Sequence, residues 1–148
     1  MFCKLAFEFA YGKDSVPLLE NRIGGVQTLS GTGGLRVMGE MLRKHGHQHI
    51  YVPNPTWGNH IPIFRNSGLE VRKYSYYNNE TSDLDFDKLI QDIQGMPAGS
   101  CILLHACAHN PTGYVLLVLS YWKQYCCYVA SYQPYLVIVV HTHTDTHP

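Results

Sequence analysis

LLHACAHNPTG, residues 103–113, begins as an apolar run and ends in histidine, asparagine, proline and glycine. The first residues suit a strand buried on both faces, and Pro111 with Gly113 forces a turn directly after it. A buried strand that opens into so polar a loop is the usual arrangement at the ligand end of a parallel sheet.

Three further runs suit the same sheet. They are GGVQTL (24–29), HIYVP (49–53) and LEVRKYSYY (69–77), and SCILLHA (100–106) joins the set as the strand just described. Between the first two, Leu35, Met38 and Leu42 recur at i, i+3 and i+7, so GLRVMGEMLRKHG (34–46) predicts a crossover helix. DLDFDKLIQDIQG (83–95) predicts another, with Phe86, Leu89, Ile90 and Ile93 as its stripe. Asp83 or Asp85 would cap that helix, and Gly95 with Pro97 would end it. The expected fold is α/β, mainly a parallel sheet with crossover helices.

Composition bounds the function only loosely. At 148 residues the chain is one ordinary domain, able to bury about 70% of its surface on folding. Eleven Lys and Arg balance eleven Asp and Glu, so no basic excess points to nucleic acid. Five cysteines, with no C-x-x-C pair, indicate neither a disulfide framework nor a zinc knuckle, and are expected to be reduced thiols of an intracellular protein. MFCKLAFEFAYGKDS lacks the pattern of a secretory signal.

From Tyr114 the composition changes: six of the eleven tyrosines lie there, and Lys123 and Asp145 are the only charged side chains. An irregular tail is expected. Lys123–Gln124 and Gln133–Pro134 cut its apolar stretch into pieces shorter than the roughly 20 residues a membrane span needs. The alternating His-Thr of HTHTDTHP is what a CA-type nucleotide repeat encodes, which suggests an intron-derived origin.

Three segments carry chemistry. In QTLSGTGGLR (27–36), Ser30, Gly31 and Thr32 open a helix, whose free amides and positive dipole end attract an anion such as phosphate. The bland alternative is a glycine-rich turn with a serine cap. In PNPTWGNH (53–60), Trp57 follows a strand and either stacks on a planar ligand or caps the core. His105 and His109 are four apart, a metal spacing only on a helix, and Pro111 argues for a strand and turn instead. No metal site is expected. HGHQH (45–49) and the terminal His-Thr run are read as solvated histidines rather than metal ligands.

Taken together, LSGTGGLR, NPTWGNHIPIFRNSGLEVRKYSYY and LLHACAHNPTG stand in the order and near the spacing of aspartate aminotransferases, fold-type I enzymes that use pyridoxal phosphate. The chain resembles that family from about Leu5 to Gly113. The resemblance implies a partial large domain over 1–113, followed by a non-homologous tail over 114–148. It implies that Ser30, Gly31 and Thr32 bind the cofactor phosphate, and that Trp57 and Asn110 contact both the cofactor ring and the substrate carboxylate. His60, His105 and His109 would be supports behind them, and the bonds before Pro55 and Pro111 would be cis. The implied reaction is L-aspartate plus 2-oxoglutarate giving oxaloacetate and L-glutamate, in a homodimer. The family's Schiff-base lysine has no counterpart here: Lys123, the only lysine after the motif, lacks the flanking serines. The chain alone is therefore expected to be inactive and poorly soluble, the alternative being a non-catalytic module that pairs with a full-length subunit. PTWGNHIPIFR resembles mitochondrial forms and RIGGVQTLSGTG cytosolic ones; the cytoplasm is the expected compartment.

Overall fold

The computed structural model describes residues 2–105, 108–114 and, for the backbone alone, 136–140. It divides into two compact units, Met1–Gly34 and Leu35–Pro148. The first holds α1 (Phe2–Tyr11) and α2 (Val16–Leu19) and ends in the opening turn of α3 (Ser30–Lys44). Residues 24–29, expected as a strand, belong to no sheet among the described residues. Val26 and Leu29 have the side chains of a buried strand, yet they are exposed. Apolar composition favours a strand only where a neighbouring ladder accepts its backbone groups.

The second unit is built on a four-stranded parallel sheet in the order β2 (Glu70–Ser75), β1 (His49–Asn54), β5 (Cys101–His105), β6 (Leu136–Val140). A separate two-stranded hairpin pairs β3 (Tyr77–Asn78) with β4 (Asp83–Leu84). LEVRKYSYY is thus two strands rather than one. The break follows Ser75, whose amide donates to Asp92 Oδ2 (2.6 Å) on α5 (Phe86–Gln94).

Side-chain alternation divides the core between the two faces of the sheet. Ile50, Val52, Cys101 and Leu103 point to one face, where Leu35 and Leu42 of α3, Phe64 of α4 (His60–Asn66) and Leu69 complete a buried cluster. Ile102 and Leu104 point to the other, against Leu89 and Ile93 of α5, with Tyr74, Tyr76 and Met96. All five residues of β5 are buried, which explains its continuous apolar run. Both expected helices are present with shifted ends, α5 as part of the crossover from β2 to β5, but α3 with no strand before it among the described residues. α3 starts at Ser30, four residues before the expected start, and Gly46 (φ +90°) takes the left-handed conformation at its end.

Asp85 occupies the N-cap of α5 but its side chain makes no cap hydrogen bond; the carboxylate sits 2.9 Å from Lys88 Nζ instead. Leu136–Val140, inside the stretch expected to be irregular, is a strand paired in parallel with β5. Five uncharged aliphatic residues form a parallel strand without showing any period. The other residues from 115 onward lie outside the described residues. No helix among the described residues is long and apolar enough to cross a membrane.

Candidate functional site

The order of the sheet decides where a site forms. From β1 the chain passes through α4 to β2 on one side, then through α5 back to β5 on the other. The carboxyl ends of β1 and β5 therefore lie side by side where the winding reverses, the place at which open parallel sheets leave a ligand crevice. PNPTWGNH follows β1 there, and AHNPTG (108–113) follows the end of β5.

With His105 at the end of β5, these two segments bring Trp57, His60 and His109 together. Trp57 stands edge-on to His60, with ring centroids 5.3 Å apart. His60 lies 5.3 Å from His105, and His105 lies 4.7 Å from His109. His109 stacks on Tyr76 at 4.1 Å, and Phe64 backs His60. The three histidines are between 0% and 5% exposed. Trp57 is only partly buried, with the core cluster packed behind it. Asn110, also partly buried, donates its backbone amide to His105 Nδ1 at 3.5 Å. Its side-chain amide carries no hydrogen bond among the described residues. The loop closes on itself through His109 N to Tyr114 O (2.8 Å) and Gly113 N to His109 O (2.6 Å). The Asn54–Pro55 and Asn110–Pro111 peptide bonds are both cis, as the resemblance implied.

Protonation follows from burial. His60 and His105 are each lowered to about 4 from the ordinary 6.5, chiefly by desolvation, with His105 adding a like-charge effect at His60. His109 falls to about 3 through burial and then through His105 and His60, against a small raising effect of the Pro55 carbonyl. All three are neutral at pH 7. Each has one fixed nitrogen: Thr56 Oγ1 is 2.8 Å from His60 Nδ1, and Thr112 Oγ1 is 2.8 Å from His109 Nδ1. The Asn110 amide makes His105 Nδ1 an acceptor, which leaves the proton of that ring on Nε2. Among the described residues the Nε2 atoms of His60 and His105 are buried without a hydrogen-bond partner, whereas the Pro55 carbonyl faces the His109 ring. Such groups are costly unless something else satisfies them.

Thr56 and Thr112 were missed in the sequence. Both stand within four residues of the histidine they orient, a local pairing that TWGNH and HNPT display. Among the described residues no group of three or more His, Cys, Asp or Glu side chains is arranged to hold a metal. Cys101 is a buried core thiol held up to about 11 by desolvation.

Ser30, Gly31 and Thr32 belong to the first unit, where they form the first turn of α3. All three are exposed, and Ser30 has a φ of +62° with its carbonyl accepting from Thr28 Oγ1 (3.0 Å). No acidic side chain lies in that turn to repel an anion, and no atom lies within 4 Å of where a Cβ on Gly31 would be.

The family described as aminotransferase class I and II matches residues 2–132. The cytoplasmic aspartate aminotransferase of Oryza sativa subsp. japonica is 52% identical over 124 residues, which is 83% of this chain and 30% of that protein. Among solved structures, the aspartate aminotransferase from Saccharomyces cerevisiae cytoplasm superposes with a TM-score of 0.86 at 36% identity, covering 92% of this chain and 33% of that one. The aromatic-amino-acid aminotransferase from Burkholderia pseudomallei, covalently bound to pyridoxal phosphate, superposes at 0.87 with 30% identity, covering 95% and 35%. The chain thus spans about a third of the length of the relatives it matches. On its match, its sheet and the loops that leave β1 and β5, the chain belongs to the class I and II aminotransferases.

Proposed function

We propose that this chain carries part of the pyridoxal phosphate site of an aspartate aminotransferase. The observation that supports the reading most strongly is the joint placement of Trp57 and Asn110 beyond the carboxyl ends of adjacent strands, backed by three buried neutral histidines. The residues suit the cofactor. Trp57 offers a flat ring already packed on one side, and Asn110 offers an amide donor, with no side-chain hydrogen bond among the described residues, for an oxyanion. The start of α3 offers amides and the hydroxyls of Ser30 and Thr32 for a phosphate.

When bound, pyridoxal phosphate supplies the electron sink for transamination. What these residues contribute is orientation and exclusion of water. Trp57 and Asn110 fix the ring plane and receive the substrate carboxylate. His60, His105 and His109 stiffen the wall behind them, and the neutral Nε2 of His105 presents an N–H to an acceptor supplied by the rest of an aminotransferase. The substrates proposed for the whole enzyme are aspartate and 2-oxoglutarate, the assembly a homodimer and the compartment the cytoplasm. The chain alone binds and does not turn over. The division at Gly113 belongs to the same proposal.

Pyridoxine 5′-phosphate, which lacks the reactive aldehyde, separates binding from random lysine modification. The expected result is saturable binding that Trp57→Ala or Asn110→Ala each weakens by roughly tenfold, about 1.4 kcal/mol. Equal binding by parent and both variants contradicts the assignment.

A further inference from the structure

Gly39 is the one glycine in the middle of α3, a position where glycine is disfavoured relative to alanine and so needs a reason in packing. It is buried. A Cβ placed on it would lie 2.6 Å from Ser67 Oγ, 2.9 Å from Ser67 Cβ and 3.3 Å from Phe64 Cδ1. The first two distances are shorter than side chains tolerate, so α3 approaches the end of α4 as closely as it does only because position 39 lacks a side chain. Ser67 is held in turn: it is 4% exposed, and its hydroxyl donates to Ile63 O at 3.0 Å.

The contact leads to the site. Phe64, fully buried, is one residue of the cluster against which Trp57 packs, and its ring stacks on His60 at 6.5 Å. His60 starts α4 and touches both Trp57 and His105. The seven residues of α4 are short enough to move as one rigid piece, so a displacement at Ser67 and Phe64 reaches His60.

We propose that Gly39 and Ser67 are a size-matched pair of positioning residues that sets the depth of α4 against α3 and so places His60 and Trp57. Its relevance to a cofactor rests on the reading given above for Trp57; the positioning itself does not. Gly39→Ala pushes α4 outward. Removing atoms from Ser67 makes room again: Ser67→Ala deletes the nearer atom, and Ser67→Gly deletes both.

The test uses the full chain with Trp122→Phe, so that fluorescence reports Trp57 alone. Gly39→Ala is expected to shift the Trp57 emission maximum and to weaken pyridoxine 5′-phosphate binding by roughly tenfold, the scale of a small misplacement in a binding site. Gly39→Ala with Ser67→Gly is expected to restore both. Ile93→Val, which loosens the cluster on the opposite face of the sheet, serves as a control for general destabilisation and is expected to leave Trp57 emission unchanged. Unchanged emission in Gly39→Ala, or the same shift in Ile93→Val, overturns the proposal. If Gly39→Ala fails to fold, recovery of parental emission in the double variant supports the pair, and continued failure refutes it. A parent that binds no ligand refutes the cofactor reading while the emission data still decide the positioning.

Discussion

Acid should unfold this protein through its histidines. His60 and His105 titrate at about 4 and His109 at about 3 in the folded chain, against 6.5 when solvated. Above pH 6.5 both states are neutral at these sites and the rings contribute no pH dependence. Between 6.5 and 4 the unfolded chain binds protons that the folded chain refuses, so stability falls as the pH is lowered through that window. The loss is about 2 kcal/mol per ring by pH 5, at roughly 1.4 kcal/mol per unit. For three coupled rings it is on the order of 5 kcal/mol, comparable to the whole stability of a small domain. Urea unfolding followed by circular dichroism at pH 7.5, 6.5, 5.5 and 5.0 measures this, and the midpoint is expected to drop steeply below 6.5. His109→Phe keeps an aromatic ring beside Tyr76 and removes one titrating group, so it should reduce the pH slope by about a third. A midpoint that is flat from pH 7.5 to 5.0, or that rises on acidification, would refute the reasoning.

Leu103→Ala, in the fully buried centre of β5, should lower the unfolding free energy by about 2–5 kcal/mol in the same assay at pH 7.5. Tyr74→Phe removes the buried hydroxyl that donates to Leu103 O at 2.8 Å, and about 1 kcal/mol should be lost without change of fold by circular dichroism. Asp92→Ala frees the Ser75 amide from its carboxylate partner; faster hydrogen exchange at that one amide, with β1 amides unaffected, is the expected signature.

The parts of this fold that could be read from sequence are those whose residues carry their own reason. β1 and β5 are short apolar runs bounded by polar turns, and α3 and α5 repeat their apolar residues at helical spacing. α4 escaped notice because HIPIFRN is two turns long and holds a proline. β6 escaped because five apolar residues within an apolar stretch show no contrast, and GGVQTL misled because strand composition does not supply a neighbouring strand. Within the candidate site, Trp57 was legible as a loop residue after a strand, and Asn110 as a candidate through the family resemblance. The pairing of His60 with Thr56 and of His109 with Thr112, and the meeting of three rings at the ends of β1 and β5, depend on a strand order that no local pattern encodes.

The central claim is that this chain carries part of a site for a phosphorylated pyridine, with Trp57 and Asn110 against the ring. Titration of the purified chain with pyridoxal phosphate, followed by borohydride reduction and peptide mapping, tests it most directly when pyridoxal without its phosphate is run beside it. The account predicts saturable binding of the phosphorylated form, competed by inorganic phosphate, much weaker binding of pyridoxal, and no single lysine preferentially modified. Equal binding of the two forms, or labelling scattered over exposed lysines with no saturable component, would contradict it.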